Sequence, residues 1–287
     1  MIDPQGFNEM KLCRTGPMLF NKNDWPIGKS LHEYGEYVWQ ELQPFQSFVR
    51  PGQLIIDIGA NIGTHTVWFS QLVGKDGCVL AFEPQRLMFQ TLCANVALNH
   101  CTNVYTYQKA LGKAEGKILV PVRDPYSVNN FGGVELGPGK VESGEPTDII
   151  ALDSISFNSC DVIKADIEGM EADFLEGAAK TIAKHRPILY MEADGAQAKA
   201  AIRMLIGMGY DCFWHLPPLF NPENFAGNTT NLFLADNGME IASINMFCVA
   251  RERNIKVESL KQIRSADENP FVIERERREQ QMETALV

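Results

Sequence analysis

The chain of 287 residues is 45% hydrophobic and carries 26 Lys and Arg against 36 Asp and Glu, a formal net charge of −10. That length buries one principal core with appended segments, or two small domains at most, and one principal domain is expected. The acidic balance argues against nucleic acid as a partner, because affinity for phosphate rests on clustered Lys and Arg.

No apolar run approaches the roughly 20 residues that span a bilayer. The start, Met1-Ile2-Asp3-Pro4-Gln5-Gly6, has no basic-then-apolar leader pattern, so a cytoplasmic protein is expected. Seven cysteines, at 13, 78, 93, 101, 160, 212 and 248, are scattered without a Cys-x-x-Cys pair and read as reduced thiols with no assigned chemistry.

In chain order, residues 1–30 are rich in Gly, Pro and Asn and read as an irregular arm. Tyr34, Tyr37, Val38, Leu42, Phe45 and Val49 then recur at helical spacing and predict a helix over the core entrance, so residues 1–50 form an arm and helix. After Pro51-Gly52, strand patterns at 54–58, 78–82, 103–110, 161–166 and 187–193 alternate with helical ones at 64–73, 86–98, 170–184 and 195–208. Such alternation specifies an α/β, Rossmann-like, mostly parallel sheet with helices on both faces and right-handed crossovers. Tyr210–Trp214 and Ile244–Val249 complete seven strands as an antiparallel pair, bounding the main domain at 51–250. The insert at 112–160 is too long for a simple connection, and its pieces Ile118-Leu119-Val120 and Ile149-Ile150-Ala151-Leu152 predict short extra strands beside turns such as Gly137-Pro138-Gly139. Residues 251–287 are strongly charged, ending in Glu274-Arg275-Glu276-Arg277-Arg278-Glu279, and read as a solvated helix, an extension, or a face for a second subunit of a homo-oligomer.

The strand at 54–58 runs into Asp57-Ile58-Gly59-Ala60-Asn61-Ile62-Gly63 and the helix opening at Thr64. Gly59 and Gly63 let a ligand approach the amides of the turn, and the helix start offers unpaired N–H donors. The run departs from the Gly-x-Gly-x-x-Gly dinucleotide pattern, with Asp57 and Asn61 standing in place of glycines. A carboxylate there disfavours pyrophosphate and favours an ammonium or sulfonium ion, and S-adenosylmethionine carries both. The next strand ends in Glu83-Pro84, about 20 residues beyond Gly63, where an acid accepts ribose hydroxyls in this architecture. The plainer reading is that Asp57 caps a helix and Glu83 is a loop acid. Ligands in such sheets lie beyond the strand ends where the winding reverses, which puts the site at this first strand.

A second cluster, Ile163-Lys164-Ala165-Asp166-Ile167-Glu168-Gly169-Met170-Glu171, places Asp166 at a strand tip, where it should face the same cleft as Asp57. Glu168 and Glu171 also suit a helix start through the macrodipole alone. Glu192, ending Ile188-Leu189-Tyr190-Met191, adds a third carboxylate to that rim.

These pieces, with Asn95, Leu98-Asn99, Ala110-Leu111-Gly112 and Arg186-Pro187, occur in the order seen in FkbM-type methyltransferases, which residues 35–250 resemble. Ala165 stands where a valine or isoleucine is usual. The resemblance implies a class I S-adenosylmethionine-dependent fold and methylation of a hydroxyl on a sugar or natural product. It implies a cofactor site of Asp57, Gly59, Ala60, Asn61, Gly63, Thr64, Glu83, Pro84, Ala110, Leu111 and Asp166.

Methyl transfer to an alcohol needs an in-line acceptor and a place for its proton. Candidate bases are His215, Asp166 and Glu168; alternatively Asp166, Glu168, Glu171 or Glu192 hold Mg²⁺, which lowers the acceptor's pKa. Asn130, Phe131, Glu192, Trp214 and Asn245 are candidate acceptor-binding residues, with Asn129–Phe131 as a lid. The competing readings are an NAD-dependent oxidoreductase, in which Glu83 holds an NAD ribose, and a non-catalytic module of the same fold.

Overall fold

A computed structural model of the chain describes residues 5–136 and 142–271. It opens with a hairpin, β1 (Asn8–Cys13) and β2 (Gly16–Asn21), followed by α1 (Ile27–Tyr34) and α2 (Trp39–Phe48). The alternating core then runs β3 (Leu54–Ile58), α3 (Thr64–Val73), β4 (Cys78–Phe82), α4 (Arg86–Leu98) and β5 (Val104–Tyr107). The insert holds β6 (Ala110–Leu111), β7 (Gly116–Val120) and β8 (Glu145–Ile150). The second half follows as β9 (Val162–Ala165), α5 (Glu171–Gly177), α6 (Ala179–His185), β10 (Ile188–Glu192), α7 (Gly195–Gly207), β11 (Tyr210–His215), β12 (Asn245–Ala250) and β13 (Lys261–Gln262).

The main sheet has the order β13-β11-β12-β10-β9-β3-β4-β5. Strands β5, β4, β3, β9 and β10 are parallel, and β12 joins antiparallel to both β10 and β11. The chain winds from β3 outward through β4 and β5, then returns to lay β9 on the other side of β3. The reversal therefore falls at β3, where the glycine turn leaves the sheet. An eighth strand joins the expected seven: two-residue β13 pairs with β11 through Phe213 and Trp214.

Central strands buried on both faces are nearly continuous apolar runs. One face packs Ile56, Ile58, Ile163, Leu189 and Met191 under Phe174, Leu175, Ile182 and Ile202, side chains of α5, α6 and α7. The other packs Ile55, Val79, Val162, Tyr190 and Phe247 under Leu42, Phe45 and Phe69, from α2 and α3. Alternation places Asp57 and Lys164 on this second face, as register partners across β3 and β9.

Three expectations need correction. Residues 8–21 form a hairpin, because buried Asn95 on α4 serves as its docking peg: its amide bonds Leu19 through both N–H and C=O and donates to Ile62 O. The helix expected over 34–49 covers only Trp39–Phe48, since Tyr34 belongs to a separate helix, α1, that Gly35 ends at φ +65°. The helix expected over 170–184 divides at Ala178 into α5 and α6. In the insert, both expected strands form and make a small sheet, β6-β8-β7. The Gly137-Pro138-Gly139 turn and the charged run from Glu274 lie outside the described residues. No helix among the described residues is long and apolar enough to cross a membrane.

Candidate active site

Beyond the carboxyl ends of β3, β4, β9 and β10 lies a pocket of about 230 Å³. Gly59, Ala60, Asn61 and Thr64 line its floor, Glu83 one end, and Asp166, Glu168, Glu192, Asp194 and Asn245 the other. The segment before the sheet closes it from above with Ile27, Tyr37 and Glu41, and the insert contributes Asn130, Gly132 and Gly133. This lid is tethered: Phe131 N donates to Asp24 Oδ1 at 3.2 Å, Trp25 N to Asn129 O at 2.8 Å, and Gln85 Nε2 to Phe131 O at 2.8 Å.

The floor is set by contacts that only glycine allows. At Gly59, φ +71°, a Cβ would stand 1.8 Å from Asp166 O, so the turn presses directly on the end of β9. Asn61, at φ +50°, turns its own N–H to Glu83 Oε2 at 2.8 Å, while Glu83 Oε1 accepts Gln85 N. Each carboxylate oxygen of Glu83 thus has one backbone partner and one further lone pair.

Lys164 lies beneath this floor, 3% exposed, with Nζ 3.3 Å from Asp166 Oδ2, 3.7 Å from Asp57 Oδ1 and 3.3 Å from Gly59 O. Burial disfavours its charge, but Asp166, Asp57 and Glu41 outweigh that and hold it well above the ordinary ammonium range. The remaining acids have no comparable partner. Burial pushes Glu83 up to about 7, Glu41 to about 8 and Glu168 to about 7, with Asp166 adding to each. Glu192 is pushed up to about 10 by burial and then by Asp166 and Glu168. His65, 5% exposed at the pocket wall, is held neutral because burial and Lys164 both lower its pKa.

The structure brings Gly59, Ala60, Asn61, Thr64, Glu83, Asn130, Asp166, Glu168, Glu192 and Asn245 together, as the sequence leads one to expect. Others lie elsewhere. Asp57 does not face the cleft: it is fully buried below it, accepting Thr66 Oγ1 at 2.6 Å. Gly63 caps α3 with Leu92 against it, and the Pro84 carbonyl accepts Thr147 Oγ1. Ala110 and Leu111 are buried in β6, away from the pocket lining. Phe131 is 2% exposed and anchors the lid without lining the pocket. Trp214 and His215 line a different groove, between α2 and residues 256–261, where His215 Nδ1 bonds Tyr190 Oη at 2.8 Å. Glu171 is 1% exposed and accepts Gly169 N at 3.1 Å, the role of a helix-start acid. Among the described residues no three His, Cys, Asp or Glu are grouped to hold a metal ion, so the Mg²⁺ arrangement has no ligand set.

Lys164, Tyr37, Glu41, His65 and Asp194 line the pocket and were given no role by sequence reasoning. A signal existed for two of them. A lysine inside the apolar run Val162–Ala165 demands a buried counter-charge, and Tyr37, Glu41 and Phe45 recur every fourth residue, putting an acid on a buried helical stripe.

The methyltransferase FkbM of Methylobacillus flagellatus KT is 17% identical, with a TM-score of 0.43 over 71% of this chain and 50% of its own, so this chain spans half the length of that relative. Precorrin-6y C5,15-methyltransferase from Geobacter metallireducens GS-15 is 11% identical, with a TM-score of 0.42 over 74% of this chain and 86% of its own. A SAM-dependent methyltransferase from Aquifex aeolicus is 12% identical, with a TM-score of 0.37 over 79% and 94%. No curated protein matches the chain. Residues 57–212 match the methyltransferase FkbM domain, from the acid of the glycine turn to the penultimate long strand, and over more than half its length this chain belongs to that family.

Proposed function

We propose that this protein is an S-adenosylmethionine-dependent O-methyltransferase acting on a hydroxyl of a sugar, a glycan or a natural product. The charge of the pocket carries the reading. Glu41, Glu83, Asp166, Glu168, Glu192 and Asp194 line it, against the ammonium of Lys164. A pyrophosphate would meet this wall of acids at high electrostatic cost, whereas an ammonium and a sulfonium ion would relieve it. The fit extends to the polar atoms: Glu83 has a spare lone pair on each oxygen for a ribose diol, and the Gly59–Asn61 turn exposes backbone to the ligand.

When bound, the donor supplies an electrophilic methyl group, and the chain supplies position and a place for the acceptor's proton. Asp166, at the tip of β9, is proposed to hold the donor's cationic half. The tethered lid of Asn130–Gly133 excludes water from the transfer, with Asn130 available to bond an acceptor hydroxyl. Glu168 stays at the rim as a carboxylate that can relay a proton.

Calorimetry with S-adenosylhomocysteine and NADH tests the donor. Binding of the first and not the second is expected, and the reverse would restore the oxidoreductase reading. A screen of sugar, glycan and polyketide-like hydroxyl acceptors with methyl-labelled S-adenosylmethionine then tests the acceptor class, and label on nitrogen or carbon alone would overturn O-methylation.

A further inference from the structure

Besides His65 Nε2 at the pocket wall, two shielded polar atoms of pocket-lining residues have no bonding partner. They are Oε2 of Glu192 and Nδ2 of Asn245, a residue only 4% exposed. The two residues are register partners across the antiparallel pair β10 and β12, at the strand ends that open into the pocket. Buried polar groups are satisfied in nearly all folded proteins, so an unpaired acceptor beside an unpaired donor marks a place for a group that answers both. A hydroxyl does so: its O–H donates to the carboxylate while its oxygen accepts from the amide, leaving a lone pair directed elsewhere.

We propose that Glu192 and Asn245 together seat the acceptor hydroxyl, and that Glu192 takes its proton as the methyl group is transferred. This rests on the methyl-donor reading of the pocket. In the step, a lone pair of the acceptor oxygen forms the new O–C bond, the C–S bond breaks, and its electron pair stays on sulfur. The hydroxyl proton passes to Glu192 Oε2. A sulfonium and a carboxylate thereby become a thioether and a carboxylic acid, and neutralising two opposite charges away from water favours the forward direction.

The surroundings suit that role. Asp166 and Glu168 face Glu192 from the β9–α5 connection, Glu171 from α5 and Asp194 from the exit of its own strand. Glu41 of α2 and the ammonium of Lys164 line the same pocket. Crowding of acids makes Glu192 a strong proton acceptor once an incoming cation favours its ionised form. His215, across Asn245 on β11, is committed to Tyr190 and lines the other groove.

The test needs no acceptor. Sinefungin carries an ammonium in place of the sulfonium methyl, so it reports on whatever lies where the methyl group is delivered. In the intact protein sinefungin should bind more tightly than S-adenosylhomocysteine. Glu192→Gln should leave S-adenosylhomocysteine affinity unchanged and weaken sinefungin by about tenfold, the loss of one charge-assisted hydrogen bond. Asn245→Asp, which replaces the donor by a second acceptor, should move the ratio in the opposite direction. If the intact protein binds neither ligand, the methyl-donor reading itself fails. If it binds S-adenosylhomocysteine but shows no preference for sinefungin, or if Glu192→Gln changes both affinities equally or neither, the assignment of Glu192 is overturned. An unchanged ratio in Asn245→Asp removes Asn245 from the seat.

Discussion

Lys164 and Asp57 are register partners on adjacent strands, their charged atoms 3.7 Å apart and both side chains withdrawn from solvent beneath the glycine turn. The acid that marks the turn in the sequence is thus the counter-charge of a buried lysine, and it reaches the pocket through that lysine. Lys164→Met should leave Asp57 an unpaired buried charge and cost about 3–5 kcal/mol. Urea unfolding at neutral pH measures the loss. It should shrink on acidification, because protonation of Asp57, whose pKa burial already raises, removes the uncompensated charge.

The crowded acids make stability depend on pH. Glu83, Glu168 and Glu171 are held at about 7 and Glu41 at about 8, against an ordinary 4.5, mainly by burial. Each acid with a raised pKa binds more protons in the folded state than in the unfolded state over that interval. Stability therefore falls as pH rises from about 4.5 through about 8, and Glu192, pushed up to about 10, extends the decline beyond. Thermal unfolding without ligand should show this decline, and a flat or rising curve would contradict the assigned burial.

Binding of a cation should release protons from the same acids. Calorimetry of S-adenosylmethionine at pH 7 in buffers of different ionisation enthalpy should report net proton release. Net uptake would contradict an ammonium and a sulfonium ion entering this lining.

Glu83→Gln should weaken S-adenosylhomocysteine by about tenfold or more, since a charge-assisted bond to a ribose hydroxyl is replaced by a neutral one. The fold should persist, because the remaining amide oxygen can still accept one of the two N–H groups now bonded by the carboxylate. An unchanged affinity would remove Glu83 from the ribose site.

Asn95→Leu should detach the hairpin from α4. It leaves Leu19 N–H, Leu19 O and Ile62 O without their partner, each such group costing about 1–3 kcal/mol when it stays buried. Proteolysis near residues 14–24 should accelerate in the variant.

His215→Ala should leave S-adenosylhomocysteine affinity within about twofold of the intact protein, a change well under 1 kcal/mol. A larger loss would connect the groove beside α2 with the cofactor pocket.

The order of strands and helices, the reversal of winding at β3 and most of the pocket floor were legible because each follows from local pattern. Apolar runs of four or five residues ending in acids or glycines specify central strands and their tips, and strand tips at a winding reversal specify the cleft. Less legible was anything that depends on which face a tip residue turns to. Asp57 and Asp166 look equivalent in the sequence, yet Asp57 is one residue short of the strand's end and points into the packed layer under α3. Asp166 lies one residue past the end of β9 and faces solvent. His215 ends a strand as Glu192 does, but two strands further along the sheet, so it opens onto a different groove.

By itself, then, the sequence determined the α/β alternation and the acid-rich rim, since periodicity and charge are properties of short segments. Tertiary structure alone decided that Lys164 neutralises Asp57, that the segment before the sheet supplies Tyr37 and Glu41 to the pocket wall, and that Glu192 meets Asn245. Those pairings join residues 53 to 107 positions apart or cross separate layers, and only strand register and helix packing bring them together.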